Sequence, residues 1–516
     1  MTADSTATSS DATGRWLAAA WAFLAIGLCW RVGRYLLDFP IWGDEAMVAL
    51  NLPGRDYLGL LHGLDHCQVA PPLWLWSEKA AFELLGPSTL SLRLAPLLAG
   101  CAALVLHGCW AWSLAPGRAA ALATGLMAVA IWPASMSTLI KPYSFDLLAA
   151  MLILAPATRA IADPAPARWI AITAVAAPVA ILSSFPAMFV AGAAVGAIAI
   201  VALPGTMRAR FSFALLAAFT LAGSMASLQV GHNQLESPTG ADGVTTRQGM
   251  EIYWGLGFPP KGIIGWLPWF LGAITGQMMA FPVGAANGGS TLTTLAFLIG
   301  AATLVRARRW SLAALLMLPI ALNLVAAIMH RYPFGSSGRL CQVLAPSICL
   351  LAGLGADRAM ALGCPRWRLV PVAVATALAA LGIGGLAKDW LYPYRDPVFV
   401  WMRSVMDDAT DAAGRDTVVI RHVPDALEAV FTWRWRTSSA RATWGNSLPE
   451  NAASAKRLWV FHQKGNPMPK GPSPLEALRA IDPAWTETGF RHWNYPSPRP
   501  DKSPSLSVEM VLVERP

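Results

Sequence analysis

Charged residues are scarce in this chain. Asp, Glu, Lys and Arg make up only 13% of the 516 residues, whereas hydrophobic residues make up 55% and the mean hydropathy is +0.46. Soluble domains carry about 25% charged residues, so this chain has too few of them to cover a surface that faces water. The composition therefore excludes an ordinary soluble protein and predicts a chain that crosses a lipid bilayer many times.

Several short signals are also absent from the sequence. It has no GxGxxG turn after a strand and no P-loop, so no nucleotide-binding site is predicted. The seven cysteines include no CxxC pair and none follows Cys364, which argues against a disulfide framework and against a cysteine-based metal site. No internal repeat is visible, so an inverted-repeat transporter has no support.

The net charge of +9 does not indicate a nucleic-acid partner. The arginines cluster in short loops between apolar runs, where the positive-inside rule places basic residues on the cytoplasmic side. We therefore expect no binding of nucleic acid. The basic clusters are Arg118, Arg159 with Arg168, Arg208 with Arg210, Arg306 with Arg308 and Arg309, and Arg358 with Arg366 and Arg368.

The apolar runs predict an all-α polytopic membrane protein. A membrane-spanning helix needs roughly 20 apolar residues, and eleven runs come close to that length. Residues 1–15 are expected to form a disordered cytoplasmic tail and residues 16–387 to form the transmembrane domain. The candidate spans are 16–37, 88–113, 118–137, 144–162, 168–183, 184–203, 211–230, 291–305, 310–329, 339–357 and 368–387.

The orientation follows from keeping every basic cluster in the cytoplasm. This places the loops 38–87 and 231–290 on the outer face of an inner membrane, provided that the apolar segment 263–283 does not cross. Its glycines, prolines and tryptophans predict a helix at the membrane surface; alternatively it crosses, and the positive-inside rule fails once. Residues 388–516 are rich in charge, with nearly half of the charged residues in a quarter of the chain, and contain strand-like runs, which predict a small soluble α/β domain on the non-cytoplasmic face.

The first outer loop contains the strongest candidate for chemistry. Asp44 and Glu45 follow a glycine just beyond the end of the first span. A carboxylate at the membrane surface could accept a proton from an incoming hydroxyl or amine, or bind a divalent cation through oxygen. Alternatively, the pair only begins the next helix, because acidic residues favour the first helical turn.

A second candidate lies further along the same loop. His62 and His66 are four residues apart with Asp65 between them, so on a helix they would share one face and could bind zinc. Pro71 and Pro72 follow closely, however, and no third strong ligand is near in sequence. We therefore favour solvated loop histidines over a zinc site.

The order of several motifs resembles the C-type glycosyltransferases. The closest resemblance is to glycosyltransferase family 39, which is related to the protein O-mannosyltransferases and to the aminoarabinose transferase that acts on lipid A. The similarity covers residues 15 to 390 or so. The motifs that carry it are Gly43-Asp44-Glu45-Ala46, Gln68 with Pro71-Pro72-Leu73, Ser91-Leu92-Arg93-Leu94-Ala95-Pro96, Lys141-Pro142-Tyr143-Ser144-Phe145-Asp146, Ser183-Ser184-Phe185-Pro186-Ala187, and His330-Arg331-Tyr332-Pro333-Phe334-Gly335 with Arg339.

This resemblance implies transfer of a sugar from a polyprenyl-phosphate donor to an acceptor on the outer face. Asp44 would be the base, and Glu45 would orient it or help it to hold a divalent metal ion, for which His66 is a further candidate ligand. Lys141, Arg331 and Arg339 would stabilise the departing phosphate, unless they only anchor helices at the membrane surface. The remaining candidates for contact with substrate are Asp65, Gln68, Tyr143, Asp146, His330 and Tyr332.

One of these candidates lies inside a predicted span. Asp146 is one helical turn into the run 144–162, and an unpaired buried carboxylate is costly there, so Lys141 or Arg93 is expected as its partner. Two other classes of function remain open. A transporter or lipid flippase would place charges through the middle of the membrane, whereas the ionisable residues here gather at one face. A non-catalytic scaffold for envelope assembly would not depend on Asp44.

Overall fold

The computed structural model divides into two compact units, which we describe separately. The first contains Met1–Asp38, Asp56–Gly86 and Leu90–Leu391, and the second contains Phe39–Arg55, Pro87–Thr89 and Tyr392–Pro516. The structure describes residues 3–239, 244–284, 286–362, 369–392, 397–414, 416–421, 425–437, 441–444, 456–464, 474–495 and 506–515.

Most of the described residues are helical. In chain order the helices are α1 (Ala3–Leu36), α2 (Gly43–Ala49), α3 (Pro72–Leu85), α4 (Thr89–Leu114), α5 (Arg118–Ala128), α6 (Ile131–Met136), α7 (Tyr143–Ala162), α8 (Ala167–Ser183), α9 (Ala187–Ala202), α10 (Met207–Leu235), α11 (Thr246–Tyr253), α12 (Trp266–Ala273), α13 (Thr291–Arg306), α14 (Trp310–Ile328), α15 (Ala345–Ala361), α16 (Val370–Leu391), α17 (Pro397–Ala413), α18 (Asp425–Thr437) and α19 (Pro474–Ile481).

Seven helices in the described part of the chain are long and apolar enough to cross a membrane. Helices α8, α9 and α13 are shorter apolar helices at three further predicted positions. The prediction of a mostly helical chain with several apolar helices of membrane-spanning length is thereby confirmed, whereas the count of eleven spans stays a prediction. The seven long helices are α1, α4, α7, α10, α14, α15 with the turn that precedes it, and α16.

The predicted span 118–137 is two helices. Helix α5 ends at Ala128 and α6 begins at Ile131. The break has a local cause, because Pro133 has no N–H to donate to the carbonyl of Val129 and its ring would clash with that carbonyl in a continuous helix. At the N-terminus the structure also departs from the expected disordered tail, since α1 already begins at Ala3.

The segment 263–283 contains no long helix. Helix α12 has 8 residues and passes directly into a π-helical turn of 5 residues, Ile274–Met278. At 1.5 Å per residue the two together reach about 20 Å, which is less than the roughly 30 Å thickness of a hydrocarbon core. The length therefore favours the interpretation in which this segment lies at the membrane surface.

Small residues and a few ion pairs hold the helices of the first unit together. Gly300 of α13 lies against the backbone of Leu351, and Gly355 of α15 lies against the backbone of Ala296, so α13 and α15 pack backbone to backbone. Asp389 of α16 accepts hydrogen bonds from Trp30 and Arg34 of α1, each at 2.6 Å. Arg118 at the start of α5 pairs with Asp357 of α15.

The second unit contains an α/β domain, as the sequence predicts. Its five strands lie in the order β4-β3-β5-β7-β6. Strand β3 is parallel to β4 and β5, and β7 is antiparallel to β5 and β6. The strands, after the two-residue hairpin β1 (Pro238–Thr239) and β2 (Val244–Thr245) in the first unit, are β3 (Thr417–Arg421), β4 (Arg441–Trp444), β5 (Arg457–Lys464), β6 (Thr486–Tyr495) and β7 (Leu506–Glu514).

A short helix from the first outer loop belongs to this second unit. Helix α2 packs against α18. The buried side chains of these two helices include Val48 and Ala49 of α2 and Phe431 and Trp433 of α18. The residues 39–55 are therefore part of the same compact unit as the C-terminal α/β domain, although more than 300 residues of sequence separate α2 from α18.

Candidate active site

The candidate site residues fall in both units, and each group is described within its own unit. In the second unit, Asp44 and Glu45 occupy the first turn of α2, which begins at Gly43. Glu45 is buried, and its carboxylate accepts the backbone N–H of Trp42 at 3.4 Å. Asp44, in contrast, is half-buried. Glu45 thus stabilises the start of the helix, and Asp44 is the carboxylate that is more open to solvent.

In the first unit, Lys141 and Gln68 come together although 72 residues separate them in the chain. The Lys141 side chain is 6% exposed and donates from Nζ to Oε1 of Gln68 at 2.7 Å. Gln68 in turn donates from Nε2 to the carbonyl of His66 at 3.0 Å. Because an amide is neutral, it orients the ammonium without cancelling its charge. An ammonium buried in this way does not reach out to water, as a snorkelling anchor would.

The predicted partner of Asp146 was wrong. Asp146 is 3% exposed and accepts a hydrogen bond from Oγ of Ser184 at 2.6 Å. Arg93 instead lies 3.6 Å from Asp38, and Lys141 bonds to Gln68. The reason is the turn between α8 and α9, which brings the hydroxyl of Ser184 to the first turn of α7, so that a neutral donor takes the place of a cation.

Arg339 lies among three aromatic rings. Its guanidinium is 4.7 Å from the ring centre of Trp254 and 5.9 Å from those of Tyr143 and Tyr253. Nη2 also donates to the hydroxyl of Tyr253 at 3.1 Å. The rings orient the planar guanidinium and carry no charge of their own, and a guanidinium oriented in this way is suited to binding an anion.

The loop that precedes Arg339 is held by its own contacts. The hydroxyl of Tyr332 donates to the carbonyl of Leu340 at 3.2 Å, and its ring meets that of Phe189 edge to face. Burial raises the pKa of Tyr332 well above its ordinary value, so the phenol stays neutral and acts as a donor. His330 stacks on Phe258, with ring centres 4.9 Å apart.

The structure does not bring Arg331 into this group. Its side chain is exposed, and within the described ranges it makes no hydrogen bond, ion pair or ring contact that would hold it there. Its backbone N–H donates to the carbonyl of Ala326, which turns the chain sharply at the end of α14. Within the first unit, the structure thus brings Lys141 together with Gln68 and Arg339 together with Tyr143, and their role in binding phosphate stays a prediction.

The histidines of the first outer loop do not share a helical face. The 3-10 turn ends at Leu61, and His66 and Cys67 have φ angles of 60° and 53°, in the left-handed region. The helical alternative for His62 and His66 is therefore excluded by these two backbone conformations, in agreement with the interpretation that both histidines lie in a loop. Asp65 is exposed. Across the described residues, no three or more His, Cys, Asp or Glu side chains are grouped to hold a metal ion.

Sequence reasoning missed two ionisable residues inside the spans. Arg31 of α1 is fully buried and donates from Nη1 to the carbonyls of Gly27 and Ala128, at 2.9 and 3.2 Å. His107 of α4 is also fully buried, with Nε2 3.3 Å from the carbonyl of Ala123. The expectation that ionisable residues gather at one face is therefore incomplete. A single Arg or His inside an apolar run was the available signal.

Comparison with solved structures shows a known fold to which this architecture is similar. The chain is similar to ArnT from Cupriavidus metallidurans bound to undecaprenyl phosphate, with a TM-score of 0.54 over 97% of this chain and 98% of that one at 15% identity. The apo state of that protein gives 0.53 at 14% identity, with the same coverage of both chains. The predicted resemblance is thus confirmed for the fold.

Another solved structure is less similar to this chain. Archaeal oligosaccharyltransferase AglB from Archaeoglobus fulgidus, in complex with an inhibitory peptide and dolichol-phosphate, matches with a TM-score of 0.45 and 12% identity, over 86% of this chain and 69% of that one. No protein-family model matches the sequence. No curated protein matches it either.

Proposed function

We propose that this chain is a membrane glycosyltransferase that moves a sugar from a polyprenyl-phosphate donor to an acceptor on the non-cytoplasmic face of an inner membrane. The observation that carries the proposal is the buried ammonium of Lys141, which a neutral amide holds at 2.7 Å. A buried ammonium can donate strong, charge-assisted hydrogen bonds to an anionic ligand. The fold likeness supports a lipid phosphate as that ligand, since ArnT was crystallised with undecaprenyl phosphate.

The proposed reaction is a direct displacement. Asp44 removes the proton from an acceptor hydroxyl or amine, and the acceptor atom attacks the anomeric carbon of the sugar. The bond between that carbon and the phosphate oxygen breaks, and polyprenyl phosphate leaves with the electron pair. The anomeric configuration inverts because one displacement takes place. Lys141 and Arg339 stabilise the charge that develops on the departing phosphate, and Arg331 is a further candidate for that role.

The other candidate residues take supporting roles in this proposal. Glu45 orients Asp44 by holding the first turn of α2, in keeping with the hydrogen bond from Trp42. Gln68 and Tyr143 position Lys141 and Arg339. Asp65, Asp146, His330 and Tyr332 contact the sugar or the acceptor. The residues proposed as metal ligands, Asp44, Glu45 and His66, do not fit a metal site as described, so no step uses a metal ion.

A transporter or lipid flippase is the second candidate function. The observation that favours it is the burial of Arg31 and His107 inside apolar helices, where ionisable groups commonly mark a transport path. Both side chains bond to backbone carbonyls of their own or a neighbouring helix. A role in joining helices explains such bonds, which is why the transferase takes precedence.

The test is a transfer assay with the purified full-length protein. Radiolabelled undecaprenyl-phosphate sugars are incubated with the protein and candidate acceptors, and release of undecaprenyl phosphate is measured. The wild type is expected to consume at least one donor. Lys141→Gln should lower kcat/KM for the donor about 10- to 100-fold, because a hydrogen bond to a charged group contributes about 1.5–3 kcal/mol.

The matched control is Lys261→Gln, which removes an exposed lysine outside the candidate group and should leave turnover unchanged. Equal turnover by wild type and Lys141→Gln would contradict the assigned role of Lys141. Flipping of the donor lipid across proteoliposomes without any sugar transfer would support the transporter instead.

A further inference from the structure

A cavity lies at the end of the first unit where α8 and α10 begin. Its volume is about 540 Å³. Helix α8 has 17 residues and ends at Ser183, next to the Ser184 that bonds to Asp146. At 1.5 Å per residue, the two ends of α8 are about 25 Å apart. The cavity is therefore separate from the candidate active site. It is lined by Ala167, Arg168, Met207, Arg208, Phe211 and Ser212.

The charge at this cavity is positive, and no acid among the described residues pairs with it. No ion pair in the described part of the chain involves Arg168 or Arg208. The nearest acid in sequence, Asp163, accepts hydrogen bonds from the backbone N–H of Ala165 and from the indole of Trp169. The Arg168 guanidinium lies 5.3 Å from the ring centre of Trp169, a contact that leaves its charge in place.

Exposed apolar side chains stand directly beside these two charges. Met207 is 76% exposed and Phe211 is 66% exposed, and both line the cavity on the first turns of α10. Phe211 is one turn of helix from Arg208, so a cation and an aromatic ring share one side of α10. Such a surface is complementary to a molecule that has an anionic head and an apolar body.

Helix direction strengthens the preference for an anion. Arg168 and Arg208 both lie in the first turn of their helices, α8 and α10. The positive end of each helix dipole therefore faces the same region as the two guanidinium groups. Basic cavities between transmembrane helices that also expose apolar residues favour the head groups of anionic lipids.

We propose that this cavity is a binding site for an anionic phospholipid. The lipid phosphate lies against Arg168 and Arg208, and the acyl chains run along Met207 and Phe211 into the bilayer. The site ties the starts of α8 and α10 to the lipid and is independent of the donor site, so it stands whether or not the transferase proposal holds.

The test measures lipid binding to the full chain. Purified, delipidated protein is titrated with phosphatidylglycerol or with phosphatidylcholine, and the bound lipids are counted by native mass spectrometry. The wild type should prefer phosphatidylglycerol by at least about tenfold, because each basic residue near an anionic lipid contributes roughly 1 kcal/mol. Arg168→Gln combined with Arg208→Gln should remove that preference.

The control removes the same charge elsewhere. Arg210→Gln combined with Arg306→Gln changes two exposed arginines that do not line the cavity, and it should keep the preference. Inorganic phosphate should not displace the lipid, since it lacks the apolar body; displacement would point to a site for free phosphate and overturn the proposal. Equal binding by both double variants would also overturn it.

A second measurement does not depend on any variant. Phosphatidylglycerol that carries a photoreactive group next to its phosphate is crosslinked to wild-type protein in nanodiscs, and the products are mapped by mass spectrometry. Crosslinks are expected in 167–168 and 207–212. Labelling spread over all basic loops, including 306–309, would contradict a defined site.

Discussion

At the residue scale, the contacts of two buried polar side chains can be tested most directly. Ser184→Ala removes the hydroxyl that donates a hydrogen bond to Asp146 at 2.6 Å. The buried carboxyl group of Asp146 is then left without that hydrogen bond. We expect a loss of roughly 1–3 kcal/mol in the free energy of unfolding, the usual effect of leaving a buried polar group unsatisfied. Thermal unfolding in detergent measures this loss.

Ser183→Ala is the matched control for that substitution. The Ser183 hydroxyl donates to the carbonyl of Val179 within its own helix, and that carbonyl already takes part in the helical bonding pattern. The control should unfold close to the wild-type temperature. If Ser183→Ala and Ser184→Ala unfold at the same temperature, the hydrogen bond between Ser184 and Asp146 does not contribute to the stability of the protein.

The motifs in the sequence selected residues that the structure brings into contact, but they did not predict every partner. Gln68, Lys141, Tyr143 and Arg339 were all chosen from motifs, and the structure pairs Lys141 with Gln68 and Arg339 with Tyr143. The partner of Asp146 was missed because charge complementarity favoured a cation. Only the turn between α8 and α9, which depends on tertiary packing, places Ser184 there.

At the element scale, the crossing of α13 and α15 depends on glycine. A Cβ at Gly355 would overlap the backbone of Ala296, and backbone cannot move aside as a flexible side chain can. Gly355→Ala should therefore lower the free energy of unfolding by about 1–3 kcal/mol, the usual cost of overpacking. The thermal unfolding temperature in detergent should fall accordingly.

Gly384 provides the comparison within a helix. It lies in α16 with nothing within 4 Å of the position of a Cβ. Gly384→Ala should be neutral or should stabilise the protein by up to about 1 kcal/mol, because alanine favours the helical state. A Gly355→Ala variant that is as stable as Gly384→Ala would show that the two helices do not cross as closely as described.

Hydropathy predicted the long helices well and the interrupted ones poorly. An apolar run of about 20 residues has few alternatives to a helix in lipid, and α1, α4, α7, α10 and α14 follow that rule. The break at Pro133 was visible in the sequence but was outweighed by the continuous apolar run. The packing of α2 on α18 left no local signal, since it joins segments that are distant in sequence.

At the scale of the whole molecule, the fold extends over nearly the full chain. The likeness to ArnT covers 97% of this chain at 15% identity. Composition was enough to predict an architecture of apolar helices, because lipid as a solvent restricts the possible architectures, and the order of motifs predicted the resemblance in fold. Sidedness is a further prediction, since it rests on the positions of the basic loops.

Labelling in intact cells tests this sidedness. Lys261→Cys and Ala307→Cys change two exposed positions in a cysteine-free background. Lys261→Cys should react with a membrane-impermeant maleimide in spheroplasts, whereas Ala307→Cys should react only after permeabilisation, because the basic loop 306–309 is expected in the cytoplasm. Reaction of both positions from the same side would refute the predicted topology.

The role of Asp44 as the base is tested most directly by measuring turnover of the Asp44→Asn variant with the donor that the wild type consumes. We expect undecaprenyl-phosphate release to fall by at least about 100-fold, the scale of general base catalysis, while binding of undecaprenyl phosphate is unchanged. The neighbouring Glu45→Gln keeps an oxygen that can accept from Trp42 and should retain most of the activity. Wild-type turnover by Asp44→Asn would show that the carboxylate at residue 44 is not the base.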